Sequence, residues 1–128
     1  MTIGPIVTSG ILDPIVDAAD LSTDPVSDII RVDAWAEVSL HVDFTHVAAS
    51  KVTVTCEWSL DGTTFFSLQD NYGSGLSVTT LTKVWERDVS ADEEWIWNIP
   101  VAAVYARFLF SNTGATTDEL TVYATKFE

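Results

Sequence analysis

The chain of 128 residues has a single cysteine, two histidines and only six basic residues against 19 acidic ones. One cysteine, Cys56, rules out an intrachain disulfide and, with only two histidines, argues against a zinc site of three or four Cys, His or carboxylate ligands. Few Lys and Arg residues, and a formal net charge of −13, argue against a surface for nucleic-acid phosphates or anionic lipid headgroups. No apolar run reaches the ~18 residues of a membrane-spanning helix, and the opening MTIGPIVTSGILDPIV lacks the basic start of a secretory signal. The expected setting is a reducing cytoplasm, at least where the chain is made. The acidity does not mark a disordered chain, because hydrophobic residues make up 47% of it, enough for one domain with its own core.

What is present is alternation. In Lys51–Leu68, Val52, Val54, Cys56, Trp58 and Leu60 fall on one side of a two-residue period, and Lys51, Thr53, Thr55, Glu57 and Ser59 on the other. That is the pattern of a half-buried strand. Asp61-Gly62 then predicts a tight hairpin turn into a second β-rich run through Phe65, Phe66 and Leu68. Arg31–Phe44 repeats the alternation, with Ala36, Val38, Leu40, Val42 and Phe44 opposite Trp35, Glu37, Ser39, His41 and Asp43. Leu76–Asp88, Trp95–Ile99, Tyr105–Ser111 and Leu120–Phe127 read as further strands. They are separated by turn-rich segments at 70–75 and 112–114 and by an acidic connection at 89–94. Seven or eight strands at this spacing predict an all-β antiparallel β-sandwich, of jelly-roll type because the strands are few and long.

Residues 1–28 differ in composition. They carry Asp13, Asp17, Asp20, Asp24 and Asp28, three prolines, and no Lys or Arg. The expectation is an extended N-terminal arm over 1–28, packed on the domain or on a neighbour, with the sandwich over 29–128. Asp13-Pro14 fits an N-cap and first helical residue, so Pro14–Ala19 is expected to form a helical turn or two. Ile11, Leu12 and Ile15 are the arm's candidate contact residues.

No constellation in the chain carries chemistry. His41 and Asp43 share a strand face, but no nucleophile accompanies them. The acidic clusters 13/17/20/24 and 88/92/93/94 lack the spacing and the glycine of a calcium loop. Cys56 lies on an apolar face, where a thiol acts as a small hydrophobe. The reading is therefore not an enzyme, with no cofactor and no metal. The aromatics remain as candidates. Trp35, Trp85, Trp95 and Trp97 have three possible uses: filling the core, anchoring a protein interface, or stacking on sugars.

EWSLDGTTFFSL together with VYARFLFSNTGATTDELTVYATKF resembles the small β-sandwich structural proteins of tailed bacteriophages, the decoration or cement type and related tail proteins. The positions that carry the resemblance are Trp58, Ser59, Asp61, Gly62, Thr64 and Phe65, then Tyr105, Arg107, Asn112 and Gly114, within the last two thirds of the chain. The resemblance implies a non-enzymatic capsid decoration or cement protein. Its implied location is the virion, its partners the major capsid protein or other virion proteins, and its form a homo-oligomer, a trimer by preference. The same hairpin and turn types also occur in carbohydrate-binding sandwiches, so a sugar-binding module, or a tail-associated adhesion protein, using exposed Trp residues stands as the alternative.

Overall fold

The computed structural model describes residues 13–67, 69–72 and 79–127. Their strands, in chain order, are β1 (Val16–Asp20), β2 (Ile30–Arg31), β3 (Glu37–Thr45), β4 (Lys51–Ser59), β5 (Phe66–Ser67), β6 (Gln69–Tyr72), β7 (Thr79–Thr82), β8 (Val84–Asp88), β9 (Glu93–Pro100), β10 (Tyr105–Asn112) and β11 (Glu119–Phe127). One sheet, here sheet A, has the order β1-β11-β3-β9. The other, sheet B, has the order β2-β10-β4, with β5 and β8 both on the far side of β4; β6 and β7 form a separate pair. Every pairing is antiparallel. The fold is all-β, and the two main sheets pack as a sandwich.

The alternation explains the packing. Val52, Val54, Cys56 and Trp58 of β4 all face inward and are buried, as are Ala106, Phe108 and Phe110 opposite them on β10. Val38, Leu40, Val42 and Phe44 of β3 meet them from sheet A, flanked by Leu120, Val122 and Ala124 of β11. These side chains form one continuous core. The sandwich is closed at one edge by Arg87 of β8, whose guanidinium lies 5.5 Å from the Trp95 ring centroid and bonds Glu93 at 2.8 Å.

The described part of the N-terminal segment, from Asp13 to Asp28, is extended and docks on the domain itself. The helix expected over Pro14–Ala19 is absent. Val16–Asp20 is instead the edge strand β1, with a bulge between Val16 and Ala19. Tertiary pairing with β11 overrides the local capping signal of Asp13-Pro14. The chain then turns through Leu21–Thr23, a single 3-10 turn capped by Asp20, whose carboxylate accepts from Ser22 N at 2.8 Å. From there it crosses to sheet B, where Pro25, Ser27 and Val32 bond β10 and the segment before it. Ile15 and Leu21 are buried in the core. Ile11 and Leu12 lie outside the described residues.

Three further expectations are corrected. Asp61-Gly62 does not form a two-residue hairpin; it opens a six-residue connection, 60–65, because β4 ends at Ser59 and β5 begins at Phe66. Leu60 therefore lies past the strand and is 72% exposed. The long strand expected over Leu76–Asp88 is broken at Lys83 into β7 and β8, which pair with different partners. Part of the loop expected over 70–75 is strand, since β6 runs from Gln69 to Tyr72.

Candidate functional site

The tryptophans come first, because both functional readings lean on them. Trp35 is 8% exposed, Trp95 7% and Trp97 8%. Trp95 and Trp97 sit opposite Val42 and Leu40 in register and so take the inward face of β9; their rings are 5.4 Å apart, edge to face. Trp35 precedes β3 altogether. A turn closed by Trp35 N on Val32 O at 2.9 Å folds it onto the core, so strand alternation does not apply to it. Trp85 is half-buried against the core at the β8 edge, with Lys83 Nζ 5.8 Å from its ring centroid. In the single chain, then, the core-filling use of these rings prevails, and Trp95 and Trp97 form no open stacking platform.

The motif residues of the β4–β5 and β10 segments converge at one end of sheet B. Asp61 Oδ1 accepts from Thr63 N at 2.9 Å, Thr64 N at 3.0 Å and Ser59 Oγ at 2.9 Å. These bonds, those from the Thr64 and Thr63 amides foremost, hold its carboxyl well below the usual range. Ser59 Oγ in turn accepts from Gly62 N at 2.9 Å. Gly62 has φ +82°, and a Cβ there would sit 3.6 Å from the Tyr105 ring. The space is adequate but the backbone is not, so Gly62→Ala is expected to cost about 1 kcal/mol, read as a lower midpoint in urea with an unchanged slope. Next along β10, Arg107 Nε bonds Glu57 at 2.7 Å across the pair, and the Phe65 ring lies over its guanidinium at 4.1 Å.

A second cluster closes the opposite end of the same strand pair, and nothing in the composition points to it. Asp118 is fully buried. Its carboxylate accepts from Val47 N at 2.5 Å, Ala48 N at 3.1 Å, Ala49 N at 3.3 Å and Asn112 Nδ2 at 3.0 Å, and also from the Thr116 hydroxyl. Burial by itself raises the carboxyl's pKa; the bonds from Thr116, Val47, Ala48 and Ala49 outweigh it and hold the group at about 2. Thr113 Oγ1 completes the brace by accepting from Ser50 N at 2.8 Å. The small-residue connection between β3 and β4 is thus pinned by the segment between β10 and β11. The legible signal was polar spacing in Asn112–Asp118, where Asn, Thr and Asp recur at turn positions.

His41 and Asp43 remain on the outer face of sheet A, where His41 Nε2 stands 3.5 Å from Glu94. Glu37, Asp43 and Glu119 share that face. A shallow groove of about 230 Å³ beside the β1 bulge is lined by Ala18, Asp43, Thr45, Glu119, Leu120 and Thr121. Among the described residues no three His, Cys, Asp or Glu side chains gather as a metal site, and no helix is long and apolar enough to cross a membrane. Cys56 is buried, and burial pushes its thiol up to about 12, so it stays protonated at neutral pH.

The outer face of sheet B carries charges of both signs, Arg31, Lys51 and Arg107 with Glu57, Glu86 and Asp88. Val26, Leu109, Thr55 and Val84 lie in one row across four neighbouring segments. Val26 is 52% and Val84 46% exposed. The charges beside the row are paired within the chain, Arg107 with Glu57 and Lys51 with Glu86.

No known protein family matches the chain, and no curated protein matches it either.

Proposed function

We propose that this chain is a non-enzymatic structural protein of a tailed-phage virion, a head decoration or cement protein that binds the major capsid protein as a homo-oligomer. The observation that carries the reading is the strand order. β1-β11-β3-β9 faces β2-β10-β4-β8, and successive strands alternate between the sheets except at the β4-to-β8 step, as in the two Greek keys of a jelly roll, with β5–β7 inserted between the fourth and fifth of its eight strands. That supports the jelly-roll expectation. Jelly rolls serve in capsid and lectin domains alike, so the fold by itself leaves two readings.

The tryptophans favour the first. A sugar platform needs exposed aromatic faces, and Trp95 and Trp97 are packed in the core. The residues that carry the phage resemblance are used in bracing both ends of the β4–β10 pair: Ser59, Asp61, Gly62, Phe65, Tyr105 and Arg107 at one, Asn112 at the other. Such bracing suits a scaffold that presents rigid surfaces to a lattice, where many copies gain avidity from modest individual contacts.

The test is a comparison of purified heads of the encoding phage with and without the chain. The expected result is a fixed ratio of this chain to the major capsid protein, and heads that rupture at lower temperature when it is missing. Particles that never contain the chain overturn the reading, and binding on a glycan array replaces it with the alternative.

A further inference from the structure

The outer face of sheet B has the composition of a contact that a second copy of this chain can make. Two molecules each carrying a net charge of −13 repel unless they meet where charge is low or compensated. Sheet A presents Glu37, Asp43, Glu94 and Glu119 outward. Sheet B presents the row Val26, Leu109, Thr55 and Val84, flanked by charges that are already paired.

The register supplies the complementarity. One row to one side of this line are Arg107, Glu57 and Ser67; one row to the other are Ser111, Thr53 and Glu86. A twofold axis lying along the apolar row sets Val26, Leu109, Thr55 and Val84 on their own counterparts and exchanges the flanking rows. Arg107 then faces the second copy's Ser111, Glu57 faces Thr53, and Glu86 faces Ser67. Every charge in these two rows meets a hydroxyl, and no two like charges stand directly opposite each other. Thr53 and Ser111 are bonded to each other at 2.6 Å, which leaves a flat hydroxyl-lined seat opposite Phe65, the ring that covers Arg107.

The size is sufficient. β10 and β4 are eight and nine residues long, flanked by β5 with β8 on one side and by the segment 25–31 on the other; four such columns at about 4.8 Å spacing and about 3.4 Å per residue make a face of at most about 500 Å². Two copies bury up to about 1,000 Å², the size at which a specific protein contact becomes plausible. We infer that two copies of this chain associate face to face through the outer side of sheet B, about a twofold axis along the Val26–Leu109–Thr55–Val84 row. This contact is independent of the virion reading, because it forms whether or not heads are bound.

Light scattering behind size exclusion over a range of concentrations is expected to show a monomer–dimer equilibrium. V84E places two carboxylates opposite each other across the axis and is expected to weaken association by at least about tenfold. Val84 is half-exposed, so the thermal midpoint of V84E is expected to stay near that of the parent, which separates lost contact from lost fold. V84K alone is expected to dissociate in the same way, and an equimolar mixture of V84E and V84K to restore the dimer. A parent chain that is monomeric at every concentration, a trimer, a dimer indifferent to V84E, or a mixture that fails to recover each overturns the inference.

Discussion

Asp118→Ala is expected to lower the unfolding midpoint by about 10–20 °C, corresponding to a loss of about 3–4 kcal/mol for a domain of this size. The reason is the number of donors that share one carboxylate. Three successive backbone amides, Val47, Ala48 and Ala49, converge on it with the Asn112 amide and the Thr116 hydroxyl. Hydrogen bonds to an ionised acceptor contribute about 1.5–3 kcal/mol each. The loss stays below their sum because Val47 and Ala48 are exposed residues and water can take over part of the bonding. Asp118→Asn keeps the shape but turns an NH2 group towards other donors, so it is expected to cost nearly as much as the alanine. Thermal unfolding followed by circular dichroism measures both; a drop of only a degree or two in either contradicts the account.

The same carboxylate sets an acid limit. Its folded pKa of about 2 lies below the ordinary 3.8. A depressed pKa means stability that is present above the unfolded value and lost as pH falls through the folded one. The contribution, about 2 kcal/mol from the size of the shift, is therefore complete at neutral pH and fades between about pH 4 and pH 2. The stability gap between the parent chain and Asp118→Asn is expected to narrow over that window. Asp61 is shifted in the same direction, but it is exposed and present in both proteins, so it does not affect the difference.

How much of this was legible follows from where each constraint lies. The strands β3, β4, β10 and β11 are half-buried, and a two-residue period in Val, Leu, Phe and Thr is the direct imprint of one wet and one dry face. Those elements could be read without a structure. β1 could not, because an edge strand is defined by its partner β11, more than a hundred residues on, while Asp13-Pro14 speaks only of local capping. Trp35 misled for a related reason: alternation assigns faces only within a strand, and the strand begins two residues later at Glu37. Asp118 was legible only as one of the polar turn residues of 112–118; its bracing role was not, because its partners at 47–49 are backbone amides, which leave no side-chain signature. The row on sheet B depends on the register of β10 against both β4 and the segment at Val26, a fact of topology rather than of composition.

Trp58 offers a test in which two substitutions at one site are expected to differ strongly. Its side chain is fully buried between the sheets, opposite Ala106 in register. Trp58→Ala removes the largest fully buried side chain and leaves a cavity that rigid strands on both sides cannot close, so a loss of about 3–5 kcal/mol is expected. The indole Nε1, however, is buried with no acceptor among the described residues, and an unmet donor costs about 1–3 kcal/mol. Trp58→Phe deletes that donor together with part of the ring. The apolar area and packing lost with the smaller ring oppose the relief of the unmet N–H, and the two are of similar size. The net change is expected to stay within about 1 kcal/mol of zero. Urea midpoints for the two variants separate the terms. A phenylalanine variant as unstable as the alanine one means that the indole N–H is satisfied in solution and that its ring, rather than its bulk alone, holds the two sheets together.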